Sequence, residues 1–191
     1  MKRSGCWSIS LLAAALVATS GCAASGPKYH DQAMDFGSVR SVAVLPFQNL
    51  SREGQAGDRV RDVFATTLLA TSGIYVVPPG EVQRNISKLN IGMAATPSIE
   101  DVTRLGQSLK VDAVITGVVK EYGELRSGNA TSNVVSLSAQ MLETATGKVV
   151  WSASTTKGGI TMGDRLLGSG GTPMNQVTEA AVDDLLAKLF K

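Results

Sequence analysis

Few residues in this 191-residue chain could carry out bond chemistry. It has one histidine, His30, and two cysteines, Cys6 and Cys22. A Ser-His-Asp or Cys-His arrangement needs an imidazole beside its nucleophile in the folded domain. His30 instead falls in a polar N-terminal stretch. A zinc site of the usual kind needs several His or Cys ligands, and no cysteine follows Cys22. Two carboxylate pairs stand out, Glu100/Asp101 and Asp183/Asp184. Adjacent helical residues point to different faces, so these read as a capping turn and a solvated face. The glycine-rich loop Gly158–Gly171 precedes a helix start, where a phosphate could bind. Its glycines match neither G-x-G-x-x-G nor the P-loop spacing, and no lysine follows in place. No enzyme, metal or cofactor is expected.

The remaining chemistry is that of Cys22. Met1-Lys2-Arg3 is a short positive head, and Trp7–Ala18 is apolar or small with no charge. Small residues then lead to Gly21-Cys22, which completes a secretory signal pattern. The apolar run is short of the ~20 residues that span a bilayer. Gly21-Cys22 resembles the end of a bacterial lipobox, where diacylglycerol is added to the thiol before cleavage. The lipobox prefers Leu three positions before the cysteine, and this chain has Thr19 there. The other reading is an ordinary signal peptide with Cys22 left as a free thiol, which would be unusual in an oxidising compartment. The expected organisation is a leader at 1–21, a lipidated tether at 22–38 and a periplasmic domain at 39–191. Seventeen or so tether residues would reach at most roughly 50–60 Å. Ala23, rather than Asp, follows the anchor. By resemblance to lipoproteins of double-membraned bacteria, that implies sorting to the outer membrane, with its lipid as partner through Cys22.

Charge excludes a further class. Of the 18 basic residues, Lys2 and Arg3 lie in the leader, so the rest balance the 16 acidic ones. With no basic run and only 5% aromatic residues, nucleic-acid binding is not expected.

The elements that would position any site follow from periodicity. Val39–Phe47 reads as a strand ending at Pro46, which cannot donate to a ladder. Asp58–Ser72 is a helix with Val60, Val63, Phe64, Leu68 and Thr71 on one face, closed by Gly73. Ile74–Val77 is a short strand. Glu81–Leu89 is a helix with Val82, Ile86 and Leu89 inward. A further helix runs to Leu109 from an N-cap at Ser98, with Ile99, Val102, Leu105 and Leu109 inward. Val111–Val119 is almost continuously apolar, so central in a sheet, and continues more polar to about Arg126. Ser127-Gly128-Asn129 is a turn. Asn133–Glu143 alternates, with Val135, Leu137, Ala139 and Met141 on one side. Lys148–Thr156 returns from the turn at Thr144–Gly147. Thr172-Pro173 opens the last helix as cap and first position, with Val177, Ala181, Leu185, Leu186 and Leu189 inward. The order β-α-β-α-α-β-β-β-α predicts an α/β fold, a mixed sheet with helices packed on it.

Three segments carry a resemblance: Val42-Ala43-Val44-Leu45-Pro46-Phe47-Gln48-Asn49-Leu50, Val111-Asp112-Ala113-Val114-Ile115-Thr116-Gly117 and Glu143-Thr144-Ala145-Thr146-Gly147-Lys148-Val149-Val150-Trp151-Ser152. They are similar to the small outer-membrane lipoproteins with a TolB N-terminal-like domain, the group of CsgG, PelC and LpoB. The resemblance covers about residues 39–190. It implies a homo-oligomeric ring acting in envelope export, with export-system proteins or a polysaccharide as partners. PelC-type exopolysaccharide export is closest by size. The alternative it implies is a regulator that activates a peptidoglycan synthase, as LpoB does. A CsgG-type barrel is not expected, because the turns at 126–132 and 144–147 are short and no paired membrane-spanning strands of about 10 residues are evident. Balanced charge does not favour an acidic funnel for a cationic polymer.

The candidate contact residues are apolar ones in the glycine-rich loop, Ile160, Met162, Leu166 and Leu167, together with Trp151. They would face the membrane or a neighbouring subunit. The other reading folds the loop back on its own domain and puts Trp151 in the core.

Overall fold

The computed structural model describes residues 26–128, 130–160 and 171–190. Seven strands form one mixed sheet: β1 Lys28–His30, β2 Ser41–Val44, β3 Gln48–Asn49, β4 Tyr75–Val76, β5 Ala113–Ser127, β6 Ala130–Glu143 and β7 Val149–Gly158. The order is β1-β7-β6-β5-β2-β4, with β3 also on β5. Four helices pack on it: α1 Ala56–Ser72, α2 Pro79–Lys88, α3 Ile99–Leu109 and α4 Met174–Leu189. The expected fold class and core element order are therefore present, with β1 and β3 added.

The sheet divides into a parallel half and an antiparallel half. β2 pairs in parallel with β4 and β5, and β5-β6-β7 is an antiparallel meander. Pro46 interrupts the first strand as expected, and the chain rejoins β5 at Gln48↔Val118. Between these pairings Phe47 lies over Gly117, where any Cβ would come within 2.6 Å of its ring. Phe47 also meets Phe64 of α1 edge-on at 5.7 Å. The segments that carried the family resemblance thus meet as packing elements.

Alternation along the strands creates two cores. On one face α1 and α4 bury Val60, Phe64, Leu68, Val182 and Leu185 against Val42, Ile115, Leu137, Met141 and Trp151. On the other, α2 and α3 bury Val82, Ile86, Val102 and Leu105 against Ala43, Leu45, Val114 and Leu142. Helix ends follow the expected chemistry. Gly73 closes α1 at φ 65. Ser98 and Asp101 form a reciprocal capping box on α3, which gives the Glu100/Asp101 pair its structural role. Ile99, expected inward, is 64% exposed, because the first helical residue still faces outward from the capped turn. At α4 the N-cap is Pro173 itself, with no side-chain cap. Thr172 does not cap; its carbonyl instead accepts from Asn133 Nδ2 at 2.8 Å.

Two expectations need larger correction. The first is the tether. Lys28–His30 adds to the sheet edge, pairing antiparallel with Trp151–Ala153 of β7. Residues Phe36–Ser38 form a short 3-10 turn capped by Asp35. The folded unit therefore begins before residue 39, at the expense of the tether. The second is the β5–β6 hairpin, which pairs from Ala113↔Glu143 to Ser127↔Ala130 with one bulge after Val119. It is longer than ten residues per strand, but its distal part carries Lys120, Glu121, Glu124 and Arg126, all exposed. That is not the apolar band of a membrane-spanning strand.

The Asp183/Asp184 pair is not simply a solvated face either. Asp184 bonds Lys157 at 2.8 Å and Lys188 at 2.6 Å. Lys188 is 8% exposed, and its ammonium also donates to the Ser154 carbonyl at 2.9 Å. Burial pushes the Asp184 carboxyl up, but hydrogen bonds from Lys157, Lys188 and Thr155 and the Lys188 charge outweigh it. The carboxyl is held well below the ordinary range. Asp184→Asn strands a nearly buried ammonium; because Asp184 itself is a quarter exposed, the cost falls to about 2–3 kcal/mol, below the ~3–5 kcal/mol of a fully buried pair, measurable by urea unfolding of the mature domain. Because the folded pKa is depressed, the stabilisation is complete above the unfolded value near 4 and lost as pH falls below it. The deficit of the variant is therefore expected to hold constant above about pH 5 and to shrink below pH 4. A deficit independent of pH would show that the charge of Asp184 is not what matters.

Candidate functional site

The structure assigns the sole histidine a packing role. His30 rides on β1, and its Nε2–H donates to the Lys188 carbonyl at 2.7 Å. Its ring lies 5.2 Å from that of Phe36. The same carbonyl accepts from Trp151 Nε1 at 3.3 Å. Lys188 stands in the last turn of α4, where backbone carbonyls lack intrahelical partners. Two aromatic N–H groups from neighbouring strands supply them. Among the described residues no group of three His, Cys, Asp or Glu could hold a metal ion.

Trp151 is therefore corrected from a candidate interface residue to a core residue, with 0% exposure. Its position in β7 puts it opposite Met141, on the face that α4 covers. Its alternating neighbours point the other way. Ile160 is half-buried just beyond β7. Met162, Leu166 and Leu167 lie outside the described residues. The structure does not bring these candidates together into a site.

What it does bring together is a polar face that sequence reading passed over. Ser136, Ser138 and Gln140 of β6 pair with Thr156, Ser154 and Ser152 of β7. These residues lie opposite the core-facing set Leu137, Ala139, Trp151 and Ala153. No described helix packs over them; α2 and α3 cover only the β2-β5 side. The β6 and β7 residues of this face are hydroxyls and one amide, and Glu121 of β5, opposite Ser136, sets a carboxylate at its margin. Thr156 Oγ1 donates to Ser136 Oγ at 2.9 Å across it. At its inner margin a pocket of about 260 Å³ opens between Ala95-Thr96-Pro97, Thr116, Ser138 and Gln140. Such groups can exchange hydrogen bonds with a polyol or another chain, but none is a nucleophile activated by a base. The alternation of Ser136, Ser138 and Gln140 was visible in the sequence. What was hidden was that no described helix covers them, which depends on where α2 and α3 pack.

A second, larger cleft of about 660 Å³ lies between the loop after β3 and the distal β5–β6 hairpin. Arg52 and Lys120 face Glu53, Glu121 and Glu124 there, beside Leu50 and Leu125. Both leucines are largely exposed, at 61% and 48%. The mixed charges point to a contact surface rather than a site selective for one sign of ligand.

The architecture has solved counterparts. It is similar to a PelC dodecamer from Paraburkholderia phytofirmans, with TM-score 0.58 and 17% identity, over 86% of this chain and 97% of that one. It is similar to lipoprotein GNA1162 from Neisseria meningitidis, with TM-score 0.53 and 25% identity, over 77% and 98% of the two chains. The hypothetical protein CT253 from Chlamydia trachomatis matches with TM-score 0.51 and 14% identity, over 80% and 96%. No curated protein matches by sequence. Residues 31–189, which hold every described helix and every described strand after β1, match the GNA1162-like model, and the chain belongs to this lipoprotein family.

Proposed function

We propose that the protein is a non-catalytic outer-membrane lipoprotein, cleaved after residue 21 and lipidated on Cys22, whose periplasmic domain forms a homo-oligomeric ring that assists exopolysaccharide export. Lipidation is supported by the leader, by Gly21-Cys22 and by membership of a lipoprotein family. The observation that carries the export reading is the half-covered sheet. Its bare face presents Ser136, Ser138, Gln140, Ser152, Ser154 and Thr156, with Glu121 at the margin. A hydroxyl-rich surface with so little charge suits hydrogen bonding to sugar hydroxyls. It does not suit electrostatic capture of a cationic polymer, in line with the balanced charge of the mature chain. The ring is supported by a fold shared over nearly the whole length with a protein that crystallised as a dodecamer.

The loop residues Leu166 and Leu167, with Ile160 and Met162, belong to this proposal as contacts to the membrane or to the next subunit. Apolar side chains in a glycine-rich segment are most stable when a bilayer or a partner covers them.

The mass of the lipoprotein extracted in mild detergent tests the ring. A discrete species many times the mass of the mature chain is expected, and a strict monomer would sink it. Cys22→Ser should move the protein from the membrane fraction to the soluble periplasm; retention in the membrane would refute the anchor. Replacing Leu166 and Leu167 together by Asp should weaken membrane association or assembly while the monomer stays folded by circular dichroism. If both properties are unchanged, the loop is not a contact.

A further inference from the structure

We infer that the tip of the β5–β6 hairpin, at Leu125 and Arg126, rests in the headgroup layer of the membrane that holds the anchor; this builds on the lipidation of Cys22 proposed above. The argument is one of direction and length. β1 runs antiparallel to β7, with Lys28 opposite Ala153. Ser154 N–H donates to the Pro27 carbonyl at 3.2 Å. Gly26 lies so close to the Ser154 carbonyl that no side chain would fit. Passing backward from Lys28 to Gly26, the chain advances along β7 from Ala153 towards Gly158. That end of the sheet is the one from which the β5–β6 hairpin projects, since Gly158 pairs with Val134 and Ser127 with Ala130.

Four residue steps separate Gly26 from Cys22, which span at most about 14 Å. The β1–β7 register carried back two residues sets Gly26 level with Thr155, which pairs with Leu137, and Leu125 pairs with Ser132. Five residues along β6 therefore separate the level of Gly26 from that of Leu125, about 17 Å at 3.3 Å per residue. The hairpin reaches further than the tether. With the sheet axis near the membrane normal, the hairpin tip therefore meets the bilayer to which Cys22 is fixed.

The chemistry of the tip fits that position. Leu125 is 48% exposed and has no described core to enter. Arg126 is exposed, held by Glu124 at 3.1 Å. A leucine at the acyl boundary beside an arginine that reaches back to phosphates is a stable interfacial pair. Glu121 pairs with Ser136, four residues further from the tip, where it stays in water. Leu50, 61% exposed, lies in the adjoining cleft. The opposite end of the sheet, with the turn at Ala145, faces away from the membrane.

The mature protein makes a direct test possible. Cys6 leaves with the leader and Cys22 is capped by lipid, so an introduced cysteine is the only free thiol. The lipidated Leu125→Cys and Ala145→Cys proteins are labelled with an environment-sensitive fluorophore and bound to vesicles of phosphatidylethanolamine and phosphatidylglycerol. Both positions are exposed, so neither change threatens the fold. The probe at 125 should shift to the blue and be quenched by lipids spin-labelled near the headgroup, and the probe at 145 should do neither. Vesicle-bound protein with no quenching at 125, or with equal quenching at 145, would overturn the orientation while leaving the anchor intact. Protein that fails to float with the vesicles would overturn the anchor, and the inference with it.

Discussion

The buried end of α4 is the point on which three parts of the molecule depend. Lys188 acts there through both its ends. Its ammonium, nearly out of solvent, is neutralised by Asp184 and donates to the Ser154 carbonyl of β7. Its carbonyl accepts from Trp151 on β7 and His30 on β1. An unpaired ammonium at this depth would be strongly unfavourable, so helix and strands are constrained to one relative placement. Because His30 belongs to the N-terminal segment, the same cluster also decides where the folded domain begins. It thereby decides how much chain is left between domain and anchor.

That shortening changes the mechanics of the whole protein. A free tether to residue 38 would let the domain swing several nanometres from the bilayer. With β1 docked on β7, the folded part starts within a few residues of Cys22. On the proposed anchor at Cys22, the domain would be held close to the membrane by one corner of its sheet. With that anchor, the geometry would suit a membrane-apposed assembly.

The sheet is also asymmetric in its cover. Helices α1 and α4 bury one face along its length, whereas α2 and α3 bury only the parallel half of the other. This antiparallel half tolerates exposure because Ser136, Ser138, Gln140, Ser152, Ser154 and Thr156 carry polar side chains that can hydrogen-bond with solvent. Small hydroxyls also leave it flat. A surface of this kind is available for a partner without any rearrangement of the core.

Most elements were legible from the chain itself. The 3.6-residue spacing of Val60, Phe64 and Leu68, the strict alternation from Val135 to Met141, the Ser98–Asp101 cap and the glycine after α1 are local signals, and local physics decides them. So are the leader, Cys22 and the lack of a histidine placed to serve a nucleophile, which determined the lipoprotein reading and argued against an enzyme. Tertiary structure alone decided the rest. Lys-Tyr-His has no periodicity and becomes a strand only because β7 offers an unpaired edge 120 residues away. Trp151 could face a partner or the core until α4 supplied both its cover and a carbonyl for its indole. Asp184 reads as a surface carboxylate until folding brings Lys157 to it from another element. In each case the deciding partner is distant in sequence, and a one-dimensional pattern does not carry that information.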